Sequence, residues 1–399
     1  MKSLPGSTRR IAMLLLLLAG GMLAGGCMNM MPPPPPTTLH DAAVVVINDV
    51  LSHPVEPVTD AALTPDARLE LEAARFQLQC QALEIAAEFP EIVKPAWLEE
   101  GLASRSDRVE YAALMAIGQL ADYQGGSLSR PFQGRARQLA DERVTDASGR
   151  QVPRNDYLRV AGGYALYKMT GDPPEVAFMP GYLNWHNKPT QVTDDMFARF
   201  RSDVVYVLSK MPSLGPIELI RAALTDPSVE VQVRAYTRLA VLGDLKSTDR
   251  TINMLQSPVP DEQLDALDAL GEVRMPELAP LQLCLRTTRT KEVQMAAARA
   301  LGLHGDAGGL KLAQEGLNYR DPAQLSPDQV SKDPLHQDRV RILAALALGA
   351  IGNYDASAGP LLDVIRTSSS RRFQLTAARA ALELLRRSGR GAPAAAAAP

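Results

Sequence analysis

Three segments of the sequence carry one pattern of apolar and small residues: VQVRAYTRLAVLGD (231–244), EQLDALDALGEVRM (262–275) and VQMAAARALGLHGD (293–306). Leu239, Leu270 and Leu301 occupy equivalent positions, each 31 residues after the one before. A period of this length indicates one supersecondary unit stacked on copies of itself. Apolar residues within each segment recur at spacings of three and four, which predicts a helix.

Weaker copies extend this register in both directions. RVEYAALMAIGQLAD places Ile117 at the leucine position, LRVAGGYALYKMTGD places Leu166 there, and VRILAALALGAIGN places Leu348. Less regular copies put Ile85, Leu208 and Ala381 at that position. Each copy follows another amphipathic segment, as in PIELIRAALTD (216–226), so the unit is a helical hairpin. A single hairpin cannot bury a sufficient core, and the copies must therefore stack.

These segments resemble HEAT repeats, especially the short bacterial type with Val-Arg, Ala-Ala, Ala-Leu-Gly and Leu-Gly-Asp in the second helix. The resemblance covers roughly residues 75–387. It implies an all-α fold, a right-handed α-solenoid of about 8–9 repeats, whose second helices line a concave, protein-binding face. We expect N-terminal helices and a capping repeat over 39–92, the solenoid over 93–387 and a disordered tail over 388–399. No strand-like alternation follows Leu39.

One departure from the family pattern is regular. Seven residues before the central leucine, where the family commonly has arginine, this chain has Gln232, Gln263 and Gln294. The equivalent residues Arg159, Arg201 and Arg341 keep the basic side chain. Glutamines at a constant period can hydrogen-bond to one another or to the backbone between repeats. We favour this structural role over a polar stripe that binds a ligand.

The amino terminus has the features of an export signal. Lys2, Arg9 and Arg10 precede an apolar stretch that contains five consecutive leucines, and small residues lead into Cys27. Residues 1–27 resemble a bacterial lipoprotein signal peptide, although the box Ala-Gly-Gly-Cys is a loose match. The resemblance implies cleavage before Cys27 and lipid attachment to it. An ordinary secretory signal or an uncleaved anchor is the alternative.

The segment 28–38 contains five consecutive prolines and predicts a stiff polyproline II tether. Met28 follows the cysteine, and by the sorting habit of enteric bacteria this resemblance implies the outer membrane, with the domain facing the periplasm. The formal charge of −3 provides no basic excess, which argues against nucleic-acid binding. Cys80 and Cys284 lie among apolar residues and are expected to be small core residues.

Two insertions interrupt the period, near 172–194 and 318–337. The first concentrates Phe178, Tyr182, Trp185 and His186 in a chain with only 5% aromatic residues. These four residues are the candidates for partner binding, since long irregular loops and aromatic anchors are common at interfaces. The alternative is that the aromatic side chains fold back and fill a gap between repeats. The second insertion reads as a polar surface loop.

Catalytic signatures are missing from the sequence. The five histidines form no metal-binding spacing with one another or with cysteine, and no nucleophile elbow, phosphate loop or dinucleotide fingerprint occurs. We therefore expect no catalytic residues, cofactor or metal.

The sequence favours a membrane-tethered, non-catalytic protein-interaction scaffold of the cell envelope. One alternative is an envelope polysaccharide-binding lipoprotein that uses Tyr182, Trp185 and His186. A further alternative, an enzyme related to the HEAT-like bilin lyases, lacks a supporting constellation of histidine, carboxylate or exposed cysteine.

Overall fold

The computed structural model describes residues 38–53, 55–60, 63–145, 149, 151–189, 192–320 and 336–390. The signal segment, Cys27 and the proline tether lie outside these residues. Most of the second insertion, 321–335, and the end of the tail, 391–399, also lie outside them.

The described part of the chain is helical, with eighteen α-helices. They are α1 (Leu39–Leu51), α2 (Pro65–Glu88), α3 (Pro95–Leu102), α4 (Asp107–Leu120), α5 (Gln133–Asp141), α6 (Asp156–Thr170), α7 (Met179–Tyr182), α8 (Asp194–Ser209), α9 (Ile217–Ala222), α10 (Val229–Val241), α11 (Leu245–Met254), α12 (Pro260–Glu272), α13 (Ala279–Thr287), α14 (Lys291–Leu303), α15 (Leu310–Leu317), α16 (His336–Ile351), α17 (Tyr354–Thr367) and α18 (Arg371–Arg387). The sequence-based prediction of an all-α fold is confirmed.

One small sheet interrupts the helices, contrary to the prediction that no strand follows Leu39. Strand β1 (Arg143–Thr145) pairs antiparallel with β2 (Gln151–Pro153), and Val144 lies opposite Val152. Three residues per strand are too few to give a recognisable alternation in the sequence. The hairpin joins α5 to α6, and Arg154 immediately after it bonds to Glu142 at its start.

The helices pack in a regular order. Each odd-numbered helix contacts the even-numbered helix that follows it, and the even-numbered helices contact one another in sequence from α2 to α18. The residues aligned with Leu239 all lie in these helix contacts, because the side chain of each is exposed by 2% or less. They are Ile85, Ile117, Leu166, Leu208, Leu270, Leu301, Leu348 and Ala381. The repeated leucine of the sequence therefore marks the buried line of the even-numbered helices.

Glycines set the spacing between neighbouring even-numbered helices. A Cβ on Gly302 of α14 would lie 2.7 Å from the backbone nitrogen of Ile351 on α16. A Cβ on Gly349 of α16 would lie 2.6 Å from the carbonyl oxygen of Ala380 on α18. Real Cβ atoms do not approach other atoms so closely, so these two positions accept only glycine without a shift of the neighbouring helix. The glycine of the Ala-Leu-Gly pattern is therefore part of the contact between neighbouring even-numbered helices.

The row of contacts closes on itself. The last helix, α18, packs against α1 and α2, and α17 also contacts α1. Most buried apolar residues of 39–166 and 254–385 belong to a single hydrophobic cluster that is continuous across this junction. A second cluster, centred on α6, α8 and α10, fills the part of the row between them. A capping repeat would leave one face of the first hairpin uncovered, whereas here α18 covers it.

Polar contacts reinforce the junction between the two ends. Arg379 of α18 donates two hydrogen bonds of 2.7 Å to the carboxylate of Glu88 on α2. Arg386 donates to the backbone carbonyl of Glu88 at 2.6 Å and stacks over the ring of Phe89. Gln81 donates to the hydroxyl of Thr376 at 3.0 Å. These residues are separated by almost 300 positions in the sequence, so the closure is a tertiary feature.

Candidate functional site

A groove with a volume of about 830 Å³ opens where α2, α4, α6 and α8 meet. The last residues of the aromatic insertion, Pro189 and Val192, complete its wall. We call this the α2–α8 groove. Its lining residues are Cys80, Glu84, Asp107, Arg108, Tyr111, Ala112, Asn155, Asp156, Tyr157, Pro189, Val192, Met196, Phe197, Arg199, Phe200 and Asp203.

Aromatic rings from three helices form one wall of the groove. Tyr157 of α6 makes edge-to-face contacts with Tyr111 of α4, at 6.0 Å between ring centroids, and with Phe200 of α8, at 4.8 Å. Phe197 stacks 6.3 Å from Phe200. Such pairs fix ring orientation beyond simple burial. The groove therefore has a rigid apolar surface.

Two carboxylates at the edge of the groove are fully engaged by the protein. Asp107 accepts from Arg154 at 2.5 Å and from the amide of Asn155 at 2.7 Å. Asp156 accepts from the hydroxyl of Tyr182. Burial, followed by that bond, raises the pKa of Tyr182 to about 12. These groups join α4, α6 and the insertion, and their role is structural.

Two other carboxylates and one hydroxyl in the groove are not engaged. Within the described residues, Glu84, Asp203 and the Tyr111 hydroxyl form no hydrogen bond or ion pair. Burial raises the pKa of Asp203 to about 6, with Arg234 opposing the shift. Burial also raises the pKa of Glu84, although water still reaches its side chain. Glu84 and Asp203 therefore have no protein partner among the described residues, and both remain open to water.

Tyr111 lines the groove together with the two unengaged carboxylates. Burial raises the pKa of its hydroxyl, and the charges of Asp203 from α8 and Glu84 from α2 add to this effect. Cys80 donates its thiol to the carbonyl of Arg108 at 3.4 Å. Burial raises the pKa of this thiol to about 11, so Cys80 stays neutral near pH 7 and is a poor nucleophile.

The four candidate residues of the first insertion separate into two pairs. Phe178 and Tyr182 are partly buried and pack on one another with centroids 5.8 Å apart. Arg159 stacks over Phe178 at 4.1 Å and donates to the Tyr182 hydroxyl at 3.3 Å. Trp185 and His186 remain exposed and stack on each other at 3.6 Å, with Trp185 46% exposed. Only the second pair is available to a partner without rearrangement.

The glutamines that replace arginine have a structural role, as favoured. Gln232, Gln263 and Gln294 each donate to a backbone carbonyl six residues earlier, at 2.6, 2.8 and 3.0 Å. Each acceptor lies in the turn within the same hairpin, rather than between repeats. Arg341 makes the corresponding bond to the carbonyl of Tyr319 at 2.9 Å. In these four hairpins the side chain at this position supplies an N–H donor to a backbone carbonyl before its helix.

Charged residues on several even-numbered helices act on one another. Burial alone would raise the pKa of Asp268 on α12, but Arg299, Arg238 and Arg379 hold it below its ordinary value. Arg299 donates to Asp268 at 2.7 Å across α14 and α12. Arg379 acts on Asp268 from α18, three even-numbered helices away. These charges compensate one another, in contrast to those of the α2–α8 groove.

Sequence reasoning missed the α2–α8 groove. Its unengaged residues lie on α2, α4 and α8, and each looks like an ordinary residue of an amphipathic helix. The only signal was the aromatic insertion, whose end lines the groove. Among the described residues, no group of three or more histidine, cysteine, aspartate or glutamate side chains could hold a metal ion. No helix in the same part of the chain has the length and apolar content to span a membrane.

Comparisons with known proteins give little further information. No family model matches the chain, and no curated protein matches it. Among solved structures, the crystal structure of an engineered protein aligns with 94% of this chain and 98% of its own, at 17% identity and a TM-score of 0.26. This similarity is too low to support an argument, and the fold is established by the helix contacts described above.

Proposed function

We propose that this chain is a bacterial cell-envelope lipoprotein that acts as a non-catalytic protein-binding scaffold. In this proposal Cys27 carries the lipid, residues 28–38 form the tether, and nine right-handed HEAT-type hairpins form the binding domain. The proposal for the anchor rests on the sequence of residues 1–27. The proposal for the domain rests on the hairpin order and on the resemblance of the repeats.

The single observation that carries the binding role is the α2–α8 groove. It combines aromatic walls with a few carboxylates that have no protein partner, which is the usual composition of a recognition site. Cys80 is the only cysteine among the residues that line the groove, and its thiol is neutral near pH 7. The unengaged carboxylates Glu84 and Asp203 have no base or nucleophile bonded to them among the described residues. These features suit recognition better than covalent chemistry.

Site-specific cross-linking in living cells tests the binding role. A photoreactive amino acid at Met196, which lines the groove and is 60% exposed, should give a defined cross-linked product with a protein. The same residue at Leu245, which is 80% exposed and lies outside the groove, is the matched control. Equal products from both positions, or none from Met196, would contradict the proposal.

Metabolic labelling tests the anchor independently. An alkyne fatty acid should label the wild-type chain and not the Cys27→Ala variant, and only the wild type should fractionate with membranes. Labelling that persists in Cys27→Ala would place the lipid elsewhere. Membrane association that survives without labelling would favour an uncleaved anchor.

A second candidate function is binding of an envelope polysaccharide at the exposed Trp185–His186 pair. A stacked, half-exposed indole offers a flat surface of the kind that sugar rings pack on. In that case Trp185→Ala should abolish retention on immobilised envelope glycan and leave the Met196 cross-link intact. Loss of the cross-link alone would favour the protein-binding role.

A further inference from the structure

We propose that protonation of Asp203 controls whether a partner protein occupies the α2–α8 groove, so that binding becomes tighter as the pH falls. This inference rests on the proposed function, because it assumes a protein partner in the groove, and it goes further by naming how that site is regulated. It is carried by the position of Asp203 in the groove, by the charges around it and by the composition of the lining.

Asp203 lies on α8 within a lining that is mainly uncharged. Cysteine, alanine, proline, valine, methionine, tyrosine and phenylalanine contribute nine of the sixteen lining residues. The side chain of Asp203 is half-buried, and water reaches its carboxylate while the groove is open. A partner that fills the groove removes this water, and the charged form of the carboxylate then becomes costly.

Among the described residues, no cation forms an ion pair with Asp203 that could replace the lost water. Arg234 of α10 acts on Asp203 through its charge, but its Nε donates to the hydroxyl of Ser202 at 3.2 Å. Glu230, one turn before Arg234 on the same helix, acts on Asp203 with a like charge. Loss of water and the neighbouring carboxylate both favour the protonated form of Asp203.

Two tyrosines face Asp203 from other helices and stay neutral. Tyr111 of α4 and Tyr157 of α6 both lie within the field of the Asp203 charge. Burial raises the pKa of each hydroxyl, so neither one titrates near pH 7. They therefore surround Asp203 with uncharged rings and supply no charge that could compensate its own.

The remaining charged groups of the groove are closer to water than Asp203 is. Glu84 of α2 is exposed, and Arg379 opposes the rise that burial causes in its pKa. Arg108 and Arg199 are exposed and keep their charge at every pH of interest. A partner therefore changes the solvation of Asp203 more than that of these groups.

Binding and protonation are coupled through Asp203. Burial raises the pKa of Asp203 to about 6 in the open groove, and loss of the remaining water in the complex raises it further. A group whose pKa is higher in the complex takes up a proton on binding, so affinity rises as the pH falls from 7.5 to 5.5. For one proton and a pKa of about 6, the gain over this range cannot exceed about 25-fold.

The coupling also specifies the contact that the partner makes. A cation placed beside Asp203 would favour the charged form and oppose proton uptake. An uncharged apolar side chain packs on the rings of Tyr157 and Phe200 and leaves protonation as the way to remove the charge of Asp203. We therefore expect the partner to present an apolar side chain to this part of the groove.

Cross-linking from Met196 in permeabilised cells, buffered at pH 7.5 or 5.5 before irradiation, tests the inference. The yield from the otherwise wild-type chain should be about five- to twentyfold higher at pH 5.5. In Asp203→Asn the side chain is uncharged at both pH values, so the yield should be high and equal. The same pH dependence in both chains would place the titrating group on the partner and overturn the inference. A yield that falls at pH 5.5 would indicate a cation beside Asp203 and would overturn it as well.

Two further variants locate the effect. Asp195→Asn removes an exposed carboxylate from the same helix outside the groove, and it should keep the full pH response. Glu230→Gln removes the like charge beside Asp203, so the response should move to lower pH. If thermal unfolding shows that Asp203→Asn is not folded, Glu230→Gln decides, and an unmoved response would then count against the inference.

The pH control and the proposed function can fail separately. If Met196 gives no product at either pH, the protein-binding role is wrong and the pH control falls with it. If Met196 gives a product in equal yield at both pH values, the protein-binding role stands and the pH control is wrong.

Discussion

Arg201 donates two hydrogen bonds to the carboxylate of Asp226, at 2.7 and 2.8 Å, and both side chains are buried. Arg201 lies on α8 and Asp226 lies in the turn before α10, so the pair joins neighbouring hairpins. The same carboxylate accepts from the backbone N–H of Ser228 at 2.8 Å, and the carbonyl of Asp226 accepts from Gln232. One aspartate therefore shapes its own turn and fixes the hairpin beside it.

Replacing Asp226 with alanine should lower the free energy of unfolding by about 3–5 kcal/mol, because the buried charge of Arg201 loses its partner. Urea denaturation measures this loss. The double variant Arg201→Met/Asp226→Ala should recover part of it, since no unpaired charge remains. Additive losses from the two single variants would show that the pair is not coupled.

The glutamine bonds within the hairpins predict a smaller effect. Gln294→Met keeps side-chain length and removes the donor to the Thr288 carbonyl, so it should cost about 1–2 kcal/mol. Gln138→Met on α5 is the control, because Gln138 is exposed and makes no side-chain hydrogen bond among the described residues. Equal unfolding midpoints for the two variants would argue against a stabilising role for the bond.

Close helix packing predicts opposite results for two glycine substitutions. Gly349→Ala should destabilise the protein by about 2–3 kcal/mol, because its Cβ would meet the backbone of Ala380. Gly359→Ala on α17 should be neutral or stabilise by up to about 1 kcal/mol, since a Cβ there meets nothing within 4 Å. Thermal unfolding of both variants measures the difference. A tolerated Gly349→Ala would mean that α16 and α18 can separate.

Closure of the row predicts linked behaviour of the two ends. Glu88→Ala removes the acceptor of Arg379 and should cost about 1 kcal/mol, since this pair is partly exposed. Hydrogen exchange should become faster in both α1 and α18, because each covers the other. Glu91→Ala, an exposed neighbour without a side-chain partner among the described residues, should leave exchange unchanged. Faster exchange confined to α18 would contradict the closed arrangement.

The raised pKa of Asp203 predicts a pH-dependent stability difference. At pH 7.5 the carboxylate is charged in both the folded and unfolded chain, and burial penalises the folded state. Asp203→Asn should then be more stable than wild type by about 1–2 kcal/mol. Below pH 6 the folded wild type takes up a proton on Asp203, while the unfolded wild type stays charged to about pH 4. The penalty on the folded wild type is then lost, so the stability advantage of Asp203→Asn should shrink. Urea denaturation at pH 7.5 and 4.5 measures this change. A constant difference would place the cause elsewhere.

Much of the local structure could be predicted from the spacing of particular residues. The line of residues aligned with Leu239 is buried in every hairpin because a helix brings one face to the core every three to four residues. The glutamine position has a structural role because its donor reaches a turn carbonyl on the same hairpin. The small hairpin at Val144 was missed because its strands are too short to show a pattern.

The candidate site was only partly visible in the sequence. The aromatic insertion drew attention to Phe178 and Tyr182, whose rings serve mainly to join α6 to α8 through Arg159 and Asp156. The unengaged residues Glu84, Tyr111 and Asp203 gave no signal. Each is one polar position on a helix, and their meaning depends on which helices lie beside them.

The sequence by itself determined the helical hairpins, their register and their close contacts, since hydrophobic spacing, turn residues and glycines act over a few tens of residues. Only the tertiary structure decided that α18 meets α1 and α2, because closure depends on small rotations that accumulate over every hairpin in the row. The groove has the same origin. Its carboxylates and rings become neighbours through helix packing, and packing also decides which of them keep a partner.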